Sequence, residues 1–156
     1  MNQNKNEFLP SILNVITGIG VLLISFLVEI KVQISTEVAK ILGLFIVSVG
    51  IALVIWSAMH IKGAFFEEIE PKLDVLVQNG PYRFVRHPVY LGMTIAFTGL
   101  PIALRSWLGL IGVFLLFLPS EIYRAKLEEK ALKSKFGSEW EDYTAQTGFF
   151  LPYVRK

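Results

Sequence analysis

Four stretches of the chain carry no Asp, Glu, Lys or Arg: Phe8 to Val28, Ile41 to Ile61, Pro88 to Leu104 and Ser106 to Ser120. The first two hold 21 residues each, and about 20 suffice for a helix to cross the hydrocarbon core of a bilayer. The third and fourth hold 17 and 15, with Arg105 the only charge between them. They predict a helical hairpin whose tip lies near the far interface, with Gly99-Leu100-Pro101 interrupting the first arm. Irregular backbone at that depth requires cover from other helices. The fold class is therefore all-α: a polytopic membrane protein of about four transmembrane helices, the last two paired as a hairpin. The first run begins soon after Lys5 as a secretory signal would. It is longer than a signal core and has no clear small-residue cleavage site, so it reads as a retained helix.

Between and after these runs lie two polar segments. The loop from Lys62 to His87 opens with Glu67, Glu68, Glu70 and Asp74 and closes with Arg83 and Arg86. Within it, Lys72 to Val77 alternates as a short extended piece. Asn79-Gly80-Pro81 reads as a turn, and Pro88 suits the first position of the third helix. The second segment continues out of the fourth helix through Glu121, Arg124, Glu128 and Glu129, and Gly137 is placed to stop that helix. Glu139 to Tyr143 then begins a short amphipathic helical piece, and Phe149 to Tyr153 is expected to return to the membrane surface.

Charge placement gives an orientation. With four crossings, 12 of the 15 basic residues fall on the side of the two termini, and only Lys31, Lys40 and Arg105 on the other. The positive-inside rule then puts both termini in the cytoplasm. Composition agrees with the membrane class, with 53% hydrophobic and 18% charged residues. A net charge of +2 offers nothing to nucleic acid. The absence of cysteine removes disulfides and thiolate chemistry, and two histidines are too few to expect a protein-bound metal.

The chemistry-bearing residues gather at helix ends. Tyr82, Arg83, Arg86, His87 and Tyr90 surround the start of the third helix, whose unpaired N–H groups and positive dipole end favour an anion. The same residues also describe an interfacial belt that anchors a helix end. Arg124 and Glu128, four apart, share a helix face with Glu121 one turn earlier, which alone describes a surface ion pair.

Taken together these residues resemble the isoprenylcysteine carboxyl methyltransferase and phospholipid methyltransferase superfamily. The resemblance rests on Gly80-Pro81-Tyr82, on Arg86-His87-Pro88-Val89-Tyr90-Leu91-Gly92, on Arg124-x-x-x-Glu128-Glu129, and on Phe136-Gly137 with Trp140 and Tyr143, in that order along the chain. It implies a single integral-membrane domain over residues 1–156, with a catalytic core of about 66–153. It also implies an S-adenosylmethionine-dependent methyltransferase acting on a lipophilic acceptor, such as an isoprenylcysteine-type carboxylate, another lipid or a small hydrophobic molecule. Carried over by position, Asp74, Val75, Leu76 and Val77 line the cofactor pocket, and Tyr82, His87, Pro88, Val89, Tyr90 and Glu129 contact the cofactor. Arg124 and Glu128 stand at the acceptor end as the catalytic pair. The N-terminal region is shorter than that of the larger eukaryotic relatives, so acceptor features housed there do not transfer.

These side chains suit the implied chemistry. Methyl transfer from a sulfonium is an in-line displacement governed by alignment, which contributes about 7–11 kcal/mol. Arg124 suits a carboxylate acceptor, and Glu128 suits an acceptor that must lose a proton. The dipole of the third helix and His87 suit the cofactor's carboxylate, while Tyr82 and Tyr90 suit its adenine or sulfonium. Two alternatives fit the same sequence: a membrane reductase-like enzyme binding NADPH, and a non-catalytic accessory protein of the same fold. The short, cysteine-free chain suggests a prokaryotic cytoplasmic membrane. Gly18, Gly20, Gly43 and Gly50 are placed for close helix packing, within the chain or between copies.

Overall fold

The computed structural model describes residues 3–28, 31–61 and 75–152. Its helices are α1 (Gln3–Leu27), α2 (Thr36–Ile61), α3 (Pro88–Leu104), α4 (Trp107–Phe136) and α5 (Ser138–Gln146). Among the described residues the only β pairings are two isolated bridges, so the protein is all-α as expected. Leu9–Leu27 of α1, all of α2, and α4 are long and apolar enough to cross a membrane. At 17 residues, α3 rises roughly 26 Å, at the short end of what a crossing takes. The four expected apolar helices are present, three of them long and one short. Outward-facing Val15, Ile16, Phe26, Ile41 and Phe45 are well exposed, which suits lipid and not water. The chain is an integral membrane protein.

The short helix is seated by small residues. A Cβ placed on Gly43 would overlap the backbone of Ala103 and Gly99, and one on Gly50 would overlap Ala96 and Gly92. The backbones of α2 and α3 therefore lie in direct contact, where dispersion between closely approaching chains replaces the hydrophobic drive that lipid removes. Gly43 and Gly50 are accordingly intrachain packing residues, while a Cβ on Gly20 would meet open space. Gly99 does not interrupt α3 as expected. It is one of these contacts, and the helix continues through Pro101 to Leu104.

Two residues turn α3 into α4. Arg105 takes the left-handed conformation at φ 59° and donates its N–H to the Ile102 carbonyl, and the Ser106 side chain caps α4 by accepting from Gly109 N. The predicted hairpin is present. Its second arm then changes pitch: Val113–Phe117 is a π-helical turn, after which α-helix resumes at Leu118. A π turn shifts everything beyond it around the helix axis. It also seats Phe117, which is buried with Val21 and Val113 and stacked on Phe97 at 4.2 Å between ring centroids.

The helices divide the molecule into two ends. At one end Lys31 lies against Ser106, and Arg105 donates from Nε to the Val32 carbonyl at 3.1 Å and from Nη1 to Thr36 Oγ1 at 2.9 Å. At the other end meet the start of α1, the last turn of α2, the start of α3 and the second half of α4.

Candidate active site

Gly80 begins the second end. It sits at φ +59°, and a Cβ there would also collide with the His60 ring, whose Nδ1 lies 2.8 Å from the Trp56 carbonyl oxygen at the end of α2. Conformation and space both demand glycine at this position. Gly80–Arg83 then forms one 3₁₀ turn that buries Pro81 and Tyr82. Residues 84–87 follow as a short irregular strap, with His87 the N-cap of α3 and Pro88 its first residue, as expected.

A second strap, after α5, lies along the first. Val85 bridges Gly148 in parallel, Arg86 N donates to the Gly148 carbonyl at 2.8 Å, and His87 N donates to the Phe149 carbonyl at 3.4 Å. Arg86 fixes the join by donating from Nη1 to the carbonyls of Thr144 and Thr147. Phe149 therefore packs on His87, with ring centroids 4.8 Å apart. The sequence signalled neither this pairing nor the role of Phe149.

Under the straps, α5 closes against α4. Trp140 and Tyr143 are buried with Leu76, and Leu132 and Phe136 pack against them. The Tyr143 hydroxyl donates to the Tyr82 carbonyl at 2.7 Å. Burial pushes the Tyr143 phenol up to about 12. Burial first, and then the nearby Glu128 carboxylate, also hold the Tyr82 phenol well above its ordinary value. Both phenols are hydrogen-bond donors at any physiological pH.

The face of α4 turned toward the straps carries the carboxylates. Glu129 Oε1 accepts from Arg86 Nε at 2.7 Å and from His87 Nε2 at 3.2 Å. Glu128 Oε2 stands 3.8 Å from His87 Nδ1, and its side chain keeps 37% of its surface exposed. Arg124 donates from Nε to the Tyr90 hydroxyl at 3.1 Å, with its guanidinium carbon 5.9 Å from the centre of that ring. The Tyr90 hydroxyl also faces Glu128. Arg124 and Glu128 thus meet through Tyr90 of α3, where the four-residue spacing suggested a pair with each other.

Of the twelve residues singled out as a site, Tyr82, His87, Tyr90, Arg124, Glu128 and Glu129 come together here, with Pro88 and Val89 at the helix start they surround. Val75 is exposed and Leu76 is part of the core beside Trp140. Residues 75–78 lack helix, and Val77 is half-buried. Asp74, like Glu67, Glu68 and Glu70, lies outside the described residues. Arg86, expected near the start of the third helix but not assigned a contact with the cofactor or acceptor, is the hub that ties both straps to α4. Among the described residues no cluster of metal-binding side chains is present.

A family model described as phospholipid methyltransferase matches residues 38–139, from early α2 into α5. The chain is 29% identical over 126 residues to the protein-S-isoprenylcysteine O-methyltransferase of Saccharomyces cerevisiae, an alignment covering 78% of this chain and 52% of the yeast protein. It is 34% identical over 74 residues to methanethiol S-methyltransferase 1 of Bradyrhizobium diazoefficiens, covering 47% of this chain and 25% of that one. A third relative is phosphatidylethanolamine N-methyltransferase B of Dictyostelium discoideum, 32% identical over 106 residues, covering 66% of this chain and 53% of that one. The chain spans about half the length of these curated relatives, or less.

Proposed function

The chain belongs to the phospholipid methyltransferase family, and from that premise we propose that it transfers a methyl group from S-adenosylmethionine to a lipophilic acceptor. One observation carries this reading: α3 and α4 bring His87 and Tyr90 into contact with Glu128, Glu129 and Arg124 at one end of the bundle. A helix start, two carboxylates and aromatic faces are the groups that a zwitterionic, adenine-bearing molecule requires. When bound, S-adenosylmethionine supplies a methyl group on a sulfonium, which needs no metal for its transfer.

The chain's own residues do the rest. His87 and Glu129 hold each other, and Arg86 holds Glu129, so the floor of the site is rigid before any ligand arrives. Glu128 has a partly exposed side chain beside His87, and its carboxylate is available to a cationic group or to a proton leaving an amine or thiol acceptor. Arg124 presents a positive charge fixed by Tyr90, suited to an acceptor carboxylate or phosphate. His87, Pro88, Val89, Tyr90, Tyr82 and Glu129 form the donor side, with Asp74 to Val77 leading into it; Arg124 and Glu128 form the acceptor side. The whole chain acts as one domain. Both termini lie in the cytoplasm of a prokaryotic membrane, where a soluble donor and a membrane-borne acceptor meet.

The test is incubation of purified protein and membrane lipids with isotopically labelled S-adenosylmethionine, followed by mass spectrometry. Label appearing in a lipid or small hydrophobic molecule is the expected result; no labelled product from any acceptor class contradicts it.

A further inference from the structure

The family match begins at residue 38, yet α1, which precedes it, reaches the site. Arg124 is held from two sides. Its Nε donates to the Tyr90 hydroxyl at 3.1 Å, and its Nη1 donates to Ser11 Oγ at 2.8 Å. Two turns further along α1, Thr17 Oγ1 and Ser120 Oγ share a hydrogen bond at 3.0 Å. Ser11, Asn14 and Thr17 recur every three residues and so form one stripe. Ser120, Glu121 and Arg124 form the stripe facing it. Asn14 and Glu121 lie on the two helices between the pairs Thr17–Ser120 and Ser11–Arg124. Both are buried, Glu121 completely, and Asn14 Oδ1 and both Glu121 carboxylate oxygens have no hydrogen-bond partner among the described residues.

A helix pair that served packing alone would fill this seam with small residues or with polar ones that pair across it, because a buried polar atom left unpaired is costly. The seam between α2 and α3 is built in that way. The seam between α1 and α4 instead carries a run of polar side chains ending at Arg124. We propose that α1 is part of the active site and that Ser11 is a positioning residue for Arg124. The proposal rests on the reading above, in which Arg124 acts on the acceptor.

The reason lies in the geometry of a guanidinium. One bond at Nε, to Tyr90, leaves the group free to pivot about that bond. A second bond at Nη1, to a residue on another helix, fixes the plane. Reactive alignment is sensitive to displacements of about 1 Å, so a pivoting guanidinium holds an acceptor poorly even though its charge is intact. Loss of the Ser11 hydroxyl therefore affects turnover and acceptor use while leaving donor binding alone, since the donor side is built by His87, Glu129 and Arg86 on other elements.

The experiment compares wild type, Ser11→Ala, Ser11→Thr and Arg124→Ala. Turnover is measured with three acceptor probes: an S-farnesylated cysteine derivative, phosphatidylethanolamine vesicles and methanethiol. S-adenosylmethionine affinity is measured by calorimetry, and the arginine side-chain nitrogens are followed by NMR. The expected result is a fall of about tenfold or more in kcat, or in kcat/KM for the acceptor, in Ser11→Ala. Donor affinity should stay within about twofold of wild type, and Ser11→Thr should restore turnover. The two Nη signals of Arg124, separate in wild type, should merge in Ser11→Ala. Wild-type turnover by Ser11→Ala, with Arg124→Ala inactive, overturns the proposal whatever the spectrum shows. Wild-type turnover by Arg124→Ala overturns the acceptor role of Arg124 as well, so the two failures are distinct. If no probe is methylated, unchanged Nη signals in Ser11→Ala overturn the proposal and merged signals support it.

Discussion

Arg105 at one end of the bundle, and Arg86 with Arg124 at the other, meet different kinds of partner. Arg105 closes a turn: its nitrogens reach the Val32 carbonyl and the Thr36 hydroxyl, both neutral, and its own backbone occupies a conformation that usually selects glycine. Arg86 bonds a carboxylate and two carbonyls, and Arg124 bonds hydroxyls on two other helices beside a partly exposed glutamate. A charged residue at a helix end thus reveals little by itself. What separates Arg105 from the arginines of the proposed site is whether ionisable groups from other elements converge around them.

The comparison breaks most sharply at Arg124 and Glu128. Alanine at either position should lower turnover by about a hundredfold or more, the loss typical when a charge-stabilising group is removed from a site. The protein should stay folded by circular dichroism, because neither side chain fills core space. Next in size is Glu129→Ala. Removing the acceptor shared by Arg86 and His87 breaks charge-assisted bonds worth about 1.5–3 kcal/mol each, discounted for partial exposure. S-adenosylmethionine affinity, read by calorimetry, should fall by roughly tenfold to a hundredfold. Phe149→Ala removes a ring face from His87 and should weaken donor binding by roughly fivefold, the scale of one aromatic contact. The smallest effect on function belongs to the other end. Arg105→Ala should leave donor affinity and turnover unchanged and lower the thermal midpoint, losing about 1 kcal/mol from its hydrogen bonds. Impaired turnover in folded Arg105→Ala would show that the two ends are not separable in this way.

Much of this division was legible before the structure. Charge-free runs gave the helices because the bilayer sets their length, and Pro88 and Gly137 marked a start and a stop because each has a fixed backbone consequence. The motifs around His87 and Glu129 named residues that do converge. Three features were hidden. The π turn at Val113–Phe117 leaves no mark in a uniformly apolar run, yet it alters which face of α4 each later residue takes. The pairing of 84–87 with 147–149 involves main-chain groups and too few residues for a visible alternation. Gly99 before Pro101 looked like a break because local propensity cannot see the neighbouring helix that makes a small residue necessary there. Ser11 was hidden for a related reason. A serine in an apolar helix carries no signal until its partner, 113 positions away, is known.

The central claim is that the strap leading into α3 and the charged half of α4 together enclose the methyl donor. Hydrogen–deuterium exchange of the purified protein, with and without saturating S-adenosylmethionine, tests it most directly. The account predicts slower exchange in residues 82–91, 124–129 and 147–149 together, with residues 102–107 unaffected. Slowing confined to one of those stretches, or none at all, would contradict it.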